Sequence, residues 1–241
     1  MEAWERIALA LDVGTGEEAI NLAQNLTMRV GVLKVGLQLF VAEGPDLVRK
    51  LQDMGFKVFL DLKFHDIPTT IGKAARQASK LGVWAFNVHA SAGDEGLKAA
   101  VDNRGDSLVL GVTVLTSFDV RMCQQVYMTE DLQGQVQHFA DMTLSTGCQG
   151  LICSPQELAA LRAVPEFSNL LTMVPGTRPI WAEANDQKRV LTPFEAMKAG
   201  ADYLVHGRAI IKPPPGVIGQ VSAAISIADE MQLGLEAGGR A

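Results

Sequence analysis

The stretch Val58-Phe59-Leu60-Asp61-Leu62-Lys63 has the pattern of a buried strand that ends in charge. Side chains alternate along a strand, so Phe59, Asp61 and Lys63 share one face and the aliphatic residues share the other. Strands of a parallel barrel are buried on both faces, and the aliphatic face can pack under helices. The pattern therefore predicts that Asp61 and Lys63 point into the mouth of a barrel, at the C-terminal end of this strand.

Apolar, β-rich segments recur along the chain and alternate with amphipathic or alanine-rich helical stretches. Eight strands are predicted to begin near Ile7, Val32, Val58, Ala85, Ser107, Gly150, Leu170 and Ala201. Such alternation forces neighbouring strands to be parallel. Eight βα units in 241 residues predict an α/β fold, a single-domain (β/α)8 TIM barrel over residues 1–241, with 234–241 as a frayed tail. An open doubly wound sheet is the alternative.

Two intervals between strands are longer than one βα unit requires. The first, Thr116 to Gln149, has the pattern of additional helix. The second, Pro175 to Arg189, comes after strand seven and has the pattern of an unusually long loop. Such a loop is typical of a lid over a site.

Composition excludes several classes of protein. Hydrophobic residues make up 48% and charged residues 20%, which excludes disorder and a disulfide scaffold. A net charge of -6 argues against nucleic acid held by bulk electrostatics, and no segment reaches a membrane-spanning length. The three cysteines form no C-x-x-C pair and the first residues do not resemble a signal peptide. We therefore expect a cytoplasmic protein with neither a nucleic-acid nor a membrane partner.

Charged or polar residues also lie at the C-terminal ends of other strands. Their positions place them on the inward face, as in strand three. Asp12, Lys34 and His89 are expected to share one cavity with Asp61 and Lys63. Asp66 lies three residues after Lys63, so Lys34, Asp61, Lys63 and Asp66 can form a charge-balanced cluster that survives burial. The alternative is a structural salt-bridge network that closes the barrel.

An anion is expected at the other side of the same mouth. Gly207-Arg208 comes directly after strand eight, and the loops after strands seven and eight commonly bind phosphate in barrels. Arg178 and Gln187, on the loop after strand seven, could close over such a phosphate. Thr116, after strand five, could hydrogen-bond the edge of a heterocycle or merely cap a turn.

The histidines other than His89 receive less specific predictions. His65 has the opposite parity to Lys63 and is expected to make a hydrogen bond beside the site. His138 is expected on a helix surface, and His206 is left unassigned.

The run Asp61-Leu62-Lys63-Phe64-His65-Asp66-Ile67-Pro68-Thr69-Thr70 resembles the signature of the orotidine 5'-phosphate decarboxylase family, whose members make uridine 5'-phosphate in pyrimidine synthesis. Further segments resemble the family in the same order: Ala10-Leu11-Asp12, Leu33-Lys34-Val35-Gly36, Asn87-Val88-His89-Ala90, Val114-Leu115-Thr116-Ser117, Pro175-Gly176-Thr177-Arg178-Pro179, Asp186-Gln187 and Gly207-Arg208. The resemblance extends from Ile7 to the final helix.

The resemblance implies a role for each matching residue. Lys63 would be the general acid, with Asp61 and Asp66 beside it and Lys34 completing the catalytic set. The implied partners are a small nucleotide substrate and a second copy of the chain, in a homodimer where Asp66 and Thr70 reach the partner's site; neither metal nor organic cofactor is implied. The implied substrate-binding residues are Asp12, Lys34, Asp61, Ile67, Thr70, Thr116, Arg178, Gln187, Gly207 and Arg208.

Three positions depart from the family pattern. Thr177 and His206 stand where aliphatic residues are usual, and Asn185 stands where glycine is common. These departures bear on the lid and on the packing of strand eight.

Three other functions remain open on the residues alone. A Mg²⁺-dependent sugar-phosphate decarboxylase or aldol-type synthase shares the Asp-x-Lys-x-x-Asp pattern, although the continuation Ile67-Pro68-Thr69-Thr70 argues against it. A Schiff-base aldolase would use Lys63 as nucleophile, which flanking carboxylates oppose by keeping the amine protonated. A barrel that only binds nucleotides is the third.

Overall fold

Eight parallel strands close into one barrel in the computed structural model, which describes residues 1–182 and 191–239. The strands are β1 (Ile7–Ala10), β2 (Val32–Gly36), β3 (Lys57–Phe64), β4 (Ala85–His89), β5 (Leu108–Val112), β6 (Gly150–Ile152), β7 (Leu171–Pro175) and β8 (Tyr203–His206). β8 pairs with β1, Val205 lying opposite Ala8. The predicted barrel is confirmed, and this closure excludes the open sheet.

The helices surround the barrel and alternate with the strands. They are α1 (Gly16–Asn25), α2 (Leu37–Asp53), α3 (Pro68–Lys80), α4 (Gly93–Asp102), α5 (Val120–Tyr127), α6 (Leu132–Ser145), α7 (Leu158–Arg162), α8 (Pro193–Lys198), α9 (Arg208–Ile211) and α10 (Gly219–Ala237). α5 and α6 account for the helix predicted in the first long interval. No helix within residues 1–182 and 191–239 is long and apolar enough to cross a membrane.

Buried side chains form an outer and an inner core, divided by strand parity. Val58 and Leu60 belong to the outer core, between strands and helices, whereas Phe59 points inward. The inner core consists of Ala8, Val32, Phe59, Ala85, Leu110, Met173 and Tyr203. This layer fills the barrel and forms the floor beneath the charged side chains at its C-terminal end.

The prediction of a frayed tail over residues 234–241 is wrong for its first four residues, because α10 continues to Ala237. Leu235 is 2% exposed, and a side chain at Gly234 would stand 2.5 Å from the carbonyl oxygen of Phe194. The small residues here allow α10 to approach α8 closely, so they strengthen packing rather than loosen the end of the chain. Residues 240–241 lie outside the described residues.

Candidate active site

A cavity of about 300 Å³ opens at the C-terminal end of the barrel. The inner-core residues Phe59 and Met173 contribute to its lining, and the ends of several strands supply polar groups above them. Eight of the predicted site residues line it: Asp12, Lys34, Asp61, Lys63, Thr116, Arg178, Gly207 and Arg208. The strand parity that the sequence predicts thus places most of the expected side chains in one cavity.

The carboxylate of Asp61 lies between two ammonium groups. Nζ of Lys63 is 2.6 Å from its Oδ1, and Nζ of Lys34 is 3.1 Å from its Oδ2. Lys34 also lies 3.4 Å from Oδ1 of Asp12, and the side-chain amide of Asn87 donates to Oδ1 of Asp61 at 2.7 Å. Positive and negative charges alternate along this chain of contacts, which makes burial of the cluster tolerable.

Asp61 and Lys34 both remain charged at neutral pH. Burial tends to raise the pKa of Asp61, but Lys34, Lys63 and the hydrogen bond from Asn87 outweigh it and hold that pKa at about 2. Burial tends to lower the pKa of Lys34, and the carboxylates of Asp61 and Asp12 outweigh it, so this pKa is raised. The cluster therefore presents fixed charges rather than a proton shared between its members.

Lys63 is held in a backbone conformation that non-glycine residues rarely adopt. Its φ is +50°, and the pairing between β3 and β4 shifts register between Leu60 and Phe64. The side-chain oxygen of Asn87 accepts a hydrogen bond of 2.7 Å from the backbone N–H of Lys63. Because Asn87 also contacts Asp61, one amide fixes both partners of the shortest ion pair in the cluster.

This role of Asn87 was not predicted from the sequence. Parity along β4 places Asn87 on the inward face, two residues beyond the inner-core residue Ala85. A fully buried amide at that position must find hydrogen-bond partners, and this is the signal that could have identified it.

The prediction that His89 lines the cavity is wrong. Its ring packs against that of His65, with the two centroids 5.4 Å apart, and the cavity lining does not include it. Burial and the nearby His65 and Lys63 lower the pKa of His89 to about 4, so it is neutral at physiological pH. His65 lies within hydrogen-bond distance of Ser91, 3.4 Å from ring nitrogen to hydroxyl, and His138 is exposed on α6, as predicted.

The expected four-charge cluster within one chain is also wrong, because Asp66 lies outside the cavity. β3 ends at Phe64, and Asp66 is exposed in the short connection to α3, where its carboxylate accepts from the N–H of Ile67 at 2.6 Å. Ile67 is 65% exposed and Thr70 is exposed on the first turn of α3. Within one chain, the second carboxylate of the cluster is that of Asp12, which contacts Lys34.

The opposite side of the cavity carries the arginines. Arg208 is exposed at the mouth and Arg178 is half-buried, with its Nη1 donating to the carbonyl of Thr177 at 2.8 Å. Gly207 lies beside Asp12: a Cβ at this position would stand 3.6 Å from a carboxylate oxygen of Asp12. Gln187, Asn185 and the rest of the second half of the predicted lid lie outside the described residues.

Groups of three or more His, Cys, Asp or Glu side chains that could hold a metal ion do not occur within residues 1–182 and 191–239. The two carboxylates that line the cavity, Asp12 and Asp61, both contact lysine ammonium groups.

Known proteins resemble the chain over nearly its whole length. Residues 5–217 match the model of the "Orotidine 5'-phosphate decarboxylase / HUMPS family". An orotidine 5'-phosphate decarboxylase of Heliobacterium modesticaldum is 42% identical, covering 98% of this chain and 99% of the relative, and one of Syntrophomonas wolfei is 41% identical, covering 96% and 100%. The crystal structure of orotidine 5'-phosphate decarboxylase from Lactobacillus acidophilus matches with a TM-score of 0.77 and 31% identity, over 93% of this chain and 98% of that chain.

Proposed function

The chain belongs to the orotidine 5'-phosphate decarboxylase / HUMPS family and is a decarboxylase, and we propose that it converts orotidine 5'-phosphate to uridine 5'-phosphate and CO2 without a cofactor, with Lys63 as proton donor. The observation that carries the proposal is the buried carboxylate of Asp61 between the ammonium groups of Lys34 and Lys63. This reaction belongs to pyrimidine nucleotide synthesis.

The chemistry requires a fixed positive charge beside one carbon atom. Breaking the bond from C6 of the pyrimidine to the carboxylate releases CO2 and leaves the electron pair on C6, with no adjacent electron sink. An ammonium group held in place stabilises that charge without reorganisation, and it can then transfer a proton to C6. Lys63 fits this role because it is fixed by Asp61 and its side chain remains 33% exposed toward the cavity.

The remaining lining residues suit the rest of the nucleotide. Arg178, Gly207 and Arg208, together with Gln187, would hold the phosphate, since arginine binds phosphate through paired hydrogen bonds. Asp12 and Lys34 would contact the ribose, and Thr116 would contact the edge of the pyrimidine. Binding energy from the phosphate, which lies far from C6, can serve to assemble the site around the reacting carbon.

Pairing of the cavity carboxylates supports a reaction without a metal. A divalent cation would have to displace lysine ammonium groups from Asp12 and Asp61 before it could bind there. The alternative of a Mg²⁺-dependent sugar-phosphate decarboxylase or synthase requires carboxylates that are available to the ion.

We further propose a cytoplasmic homodimer in which Asp66, Ile67 and Thr70 complete the partner's site. All three are exposed and lie outside the cavity of their own chain, although they come soon after Lys63 in sequence. An exposed apolar side chain such as Ile67, beside a carboxylate and a hydroxyl, suits a surface that another chain covers.

Complementation between two inactive variants tests the activity and the shared site together. Lys63→Ala and Asp66→Ala chains are co-expressed in equal amounts, and decarboxylation of orotidine 5'-phosphate is measured on the whole population of dimers. If Asp66 serves the partner's site, about half of the dimers are mixed and each of these has one intact site of two, so activity returns to about a quarter of that of the unsubstituted chain.

The matched control pairs Lys63→Ala with Asp61→Asn, two residues that contact each other within one chain. Every site in that mixture lacks one of them, so activity stays absent. Absence of activity from both mixtures would overturn the shared site. An unsubstituted chain that fails to decarboxylate orotidine 5'-phosphate would overturn the function.

A further inference from the structure

Two buried polar residues, Thr177 and His206, contact each other, and each directly precedes a residue that lines the cavity. Nε2 of His206 lies 3.4 Å from Oγ1 of Thr177, and both residues are completely buried. His206 is the last residue of β8, and Thr177 lies two residues beyond the end of β7. Their contact therefore joins the two strands that lead into Arg178 and Arg208.

This side-chain contact lies beyond the last backbone pair of the two strands. The β7–β8 ladder ends where Pro175 lies opposite Val205. Burial and the nearby charge of Arg178 lower the pKa of His206 to about 3, so the ring is neutral. Its Nδ1 finds no hydrogen-bond partner in the part of the chain that the structure describes, which leaves the contact with Thr177 as the polar interaction available to the ring.

Thr177 in turn contacts the side chain of Arg178. Its carbonyl oxygen accepts from Nη1 of Arg178 at 2.8 Å, and the backbone N–H of Arg178 donates to the carbonyl of Leu191 at 2.9 Å. A movement of Thr177 would therefore move both the guanidinium and the base of the loop. On the other strand, His206 directly precedes Gly207-Arg208.

We propose that Thr177 and His206 act as a positioning pair that fixes Arg178 relative to Gly207 and Arg208, and thereby sets the affinity of the site for the phosphate of its nucleotide. The inference rests on the proposed function for the presence of that phosphate. Two polar side chains can hydrogen-bond to each other at such a buried contact, and two apolar side chains need no hydrogen bond. One polar and one apolar side chain leave a polar group without a hydrogen-bond partner. Thr177 and His206 are therefore expected to act as a matched polar pair.

The test compares Thr177→Val, His206→Leu and the double variant with the unsubstituted chain. Isothermal titration gives the Kd of uridine 5'-phosphate and of uridine, which lacks the phosphate. Each single variant should weaken uridine 5'-phosphate about tenfold, ~1.4 kcal/mol, and leave uridine within about twofold. The double variant, with an apolar pair, should recover to within about threefold of the unsubstituted chain.

Thr172→Val is the matched control, because Thr172 is a buried threonine at the other end of β7 that also hydrogen-bonds across to the β8 side, at Asp202. It should lower the melting temperature without changing the ratio of the two Kd values. This comparison separates positioning of the phosphate site from general loss of strand packing.

Each outcome decides the matter. If the single variants weaken the binding of uridine and of uridine 5'-phosphate equally, the two residues have a merely structural role. If the loss of binding free energy in the double variant equals the sum of the losses in the single variants, the residues do not act as a pair. Either result overturns the proposal. Binding ratios that respond as expected, in a chain that does not decarboxylate orotidine 5'-phosphate, would overturn the function and retain the pair. An unsubstituted chain that binds both ligands equally would overturn the pair's role.

Discussion

Ion pairs occur at both ends of the barrel, and they differ in what remains available to a ligand. At the N-terminal end, Arg162 donates to Asp202 at 2.7 Å and to the hydroxyl of Thr172 at 3.0 Å. The same guanidinium also donates to the carbonyls of Gly200, Phe167 and Leu170, each at 3.0 Å. Protein groups thus occupy this arginine on several sides, and the network closes the base of β7 and β8.

The cluster at the C-terminal end is incomplete by comparison. Lys63 carries three N–H donors, and within the described residues its ammonium group contacts only Asp61. Its side chain lines the cavity and is 33% exposed. A cation whose N–H donors are all bound by protein groups stabilises the fold. A cation that retains N–H donors for a ligand can act on a substrate. Substitutions at the two ends should therefore affect different properties, stability at one and turnover at the other.

Lys63→Ala should have the largest effect on the reaction and a small one on the fold. Removing the ammonium group should lower kcat for orotidine 5'-phosphate by about four orders of magnitude, at ~1.4 kcal/mol of barrier for each. Asp61 keeps Lys34 and Asn87 as partners, so the variant should fold. Initial rates and circular dichroism measure the two effects. Near-normal turnover in the folded variant would contradict the role of Lys63.

Arg162→Ala should show the opposite pattern. Removing one partner of a largely buried pair costs about 3 kcal/mol of unfolding free energy, which in a chain of this size lowers Tm by roughly 6–12 °C. kcat should stay within about threefold of the unsubstituted chain below the melting transition. Thermal denaturation and initial rates on the same preparation check both statements. An Arg162→Ala chain with an unchanged Tm and a greatly reduced kcat would contradict the assignment of stability to the N-terminal end of the barrel.

Arg208→Ala should produce a smaller, substrate-dependent effect. Loss of a charge-assisted bond to phosphate costs about 2 kcal/mol, so kcat/KM for orotidine 5'-phosphate should fall roughly thirtyfold. The exposed Arg49→Ala on α2 removes the same charge far from the cavity and should leave kcat/KM unchanged. Equal kcat/KM values for the two variants would show that Arg208 is not a phosphate ligand.

An effect confined to acidic pH is expected from the titration of Asp61. Folding lowers the pKa of this carboxyl from 3.8 to about 2, so its ionised form stabilises the fold above the unfolded value, and the stabilisation is lost as pH falls through the folded value. The difference in unfolding free energy between the unsubstituted chain and Asp61→Asn should therefore narrow from about pH 4 to about pH 2.

Urea denaturation across that range measures the narrowing. The exposed Asp46→Asn on α2 controls for loss of one carboxylate at the surface. A difference between the unsubstituted chain and Asp61→Asn that is independent of pH would argue against the charge pairing of Asp61.

Strand periodicity predicted most of the residues that line the cavity, but it failed at His89, which packs against His65, and it did not indicate the irregular backbone at Lys63. The alternation of Phe59, Asp61 and Lys63 correctly placed an inner-core residue below two charged ones. Periodicity contains no information about the left-handed backbone at Lys63, which depends on a hydrogen bond to Asn87 on the next strand.

Proximity in sequence was misleading for Asp66, because the chain leaves β3 before reaching it and its carboxylate turns to a neighbouring backbone N–H instead of the cavity. The prediction for the end of α10 failed for a different reason. Glycine at position 234 indicates flexibility when read locally, but the close approach of α8, about forty residues earlier in the sequence, requires a residue without a side chain. The local course of the backbone after β3 decides the first case, and a contact between distant segments decides the second.

The most direct measurement monitors the ultraviolet absorbance of orotidine 5'-phosphate with the purified chain, with and without excess EDTA. We expect rapid conversion to uridine 5'-phosphate at the same rate in both samples, because fixed lysine charge rather than a metal ion stabilises the carbanion. A folded chain that leaves the absorbance unchanged, or that converts the nucleotide only without EDTA, would contradict the proposed cofactor-free decarboxylation.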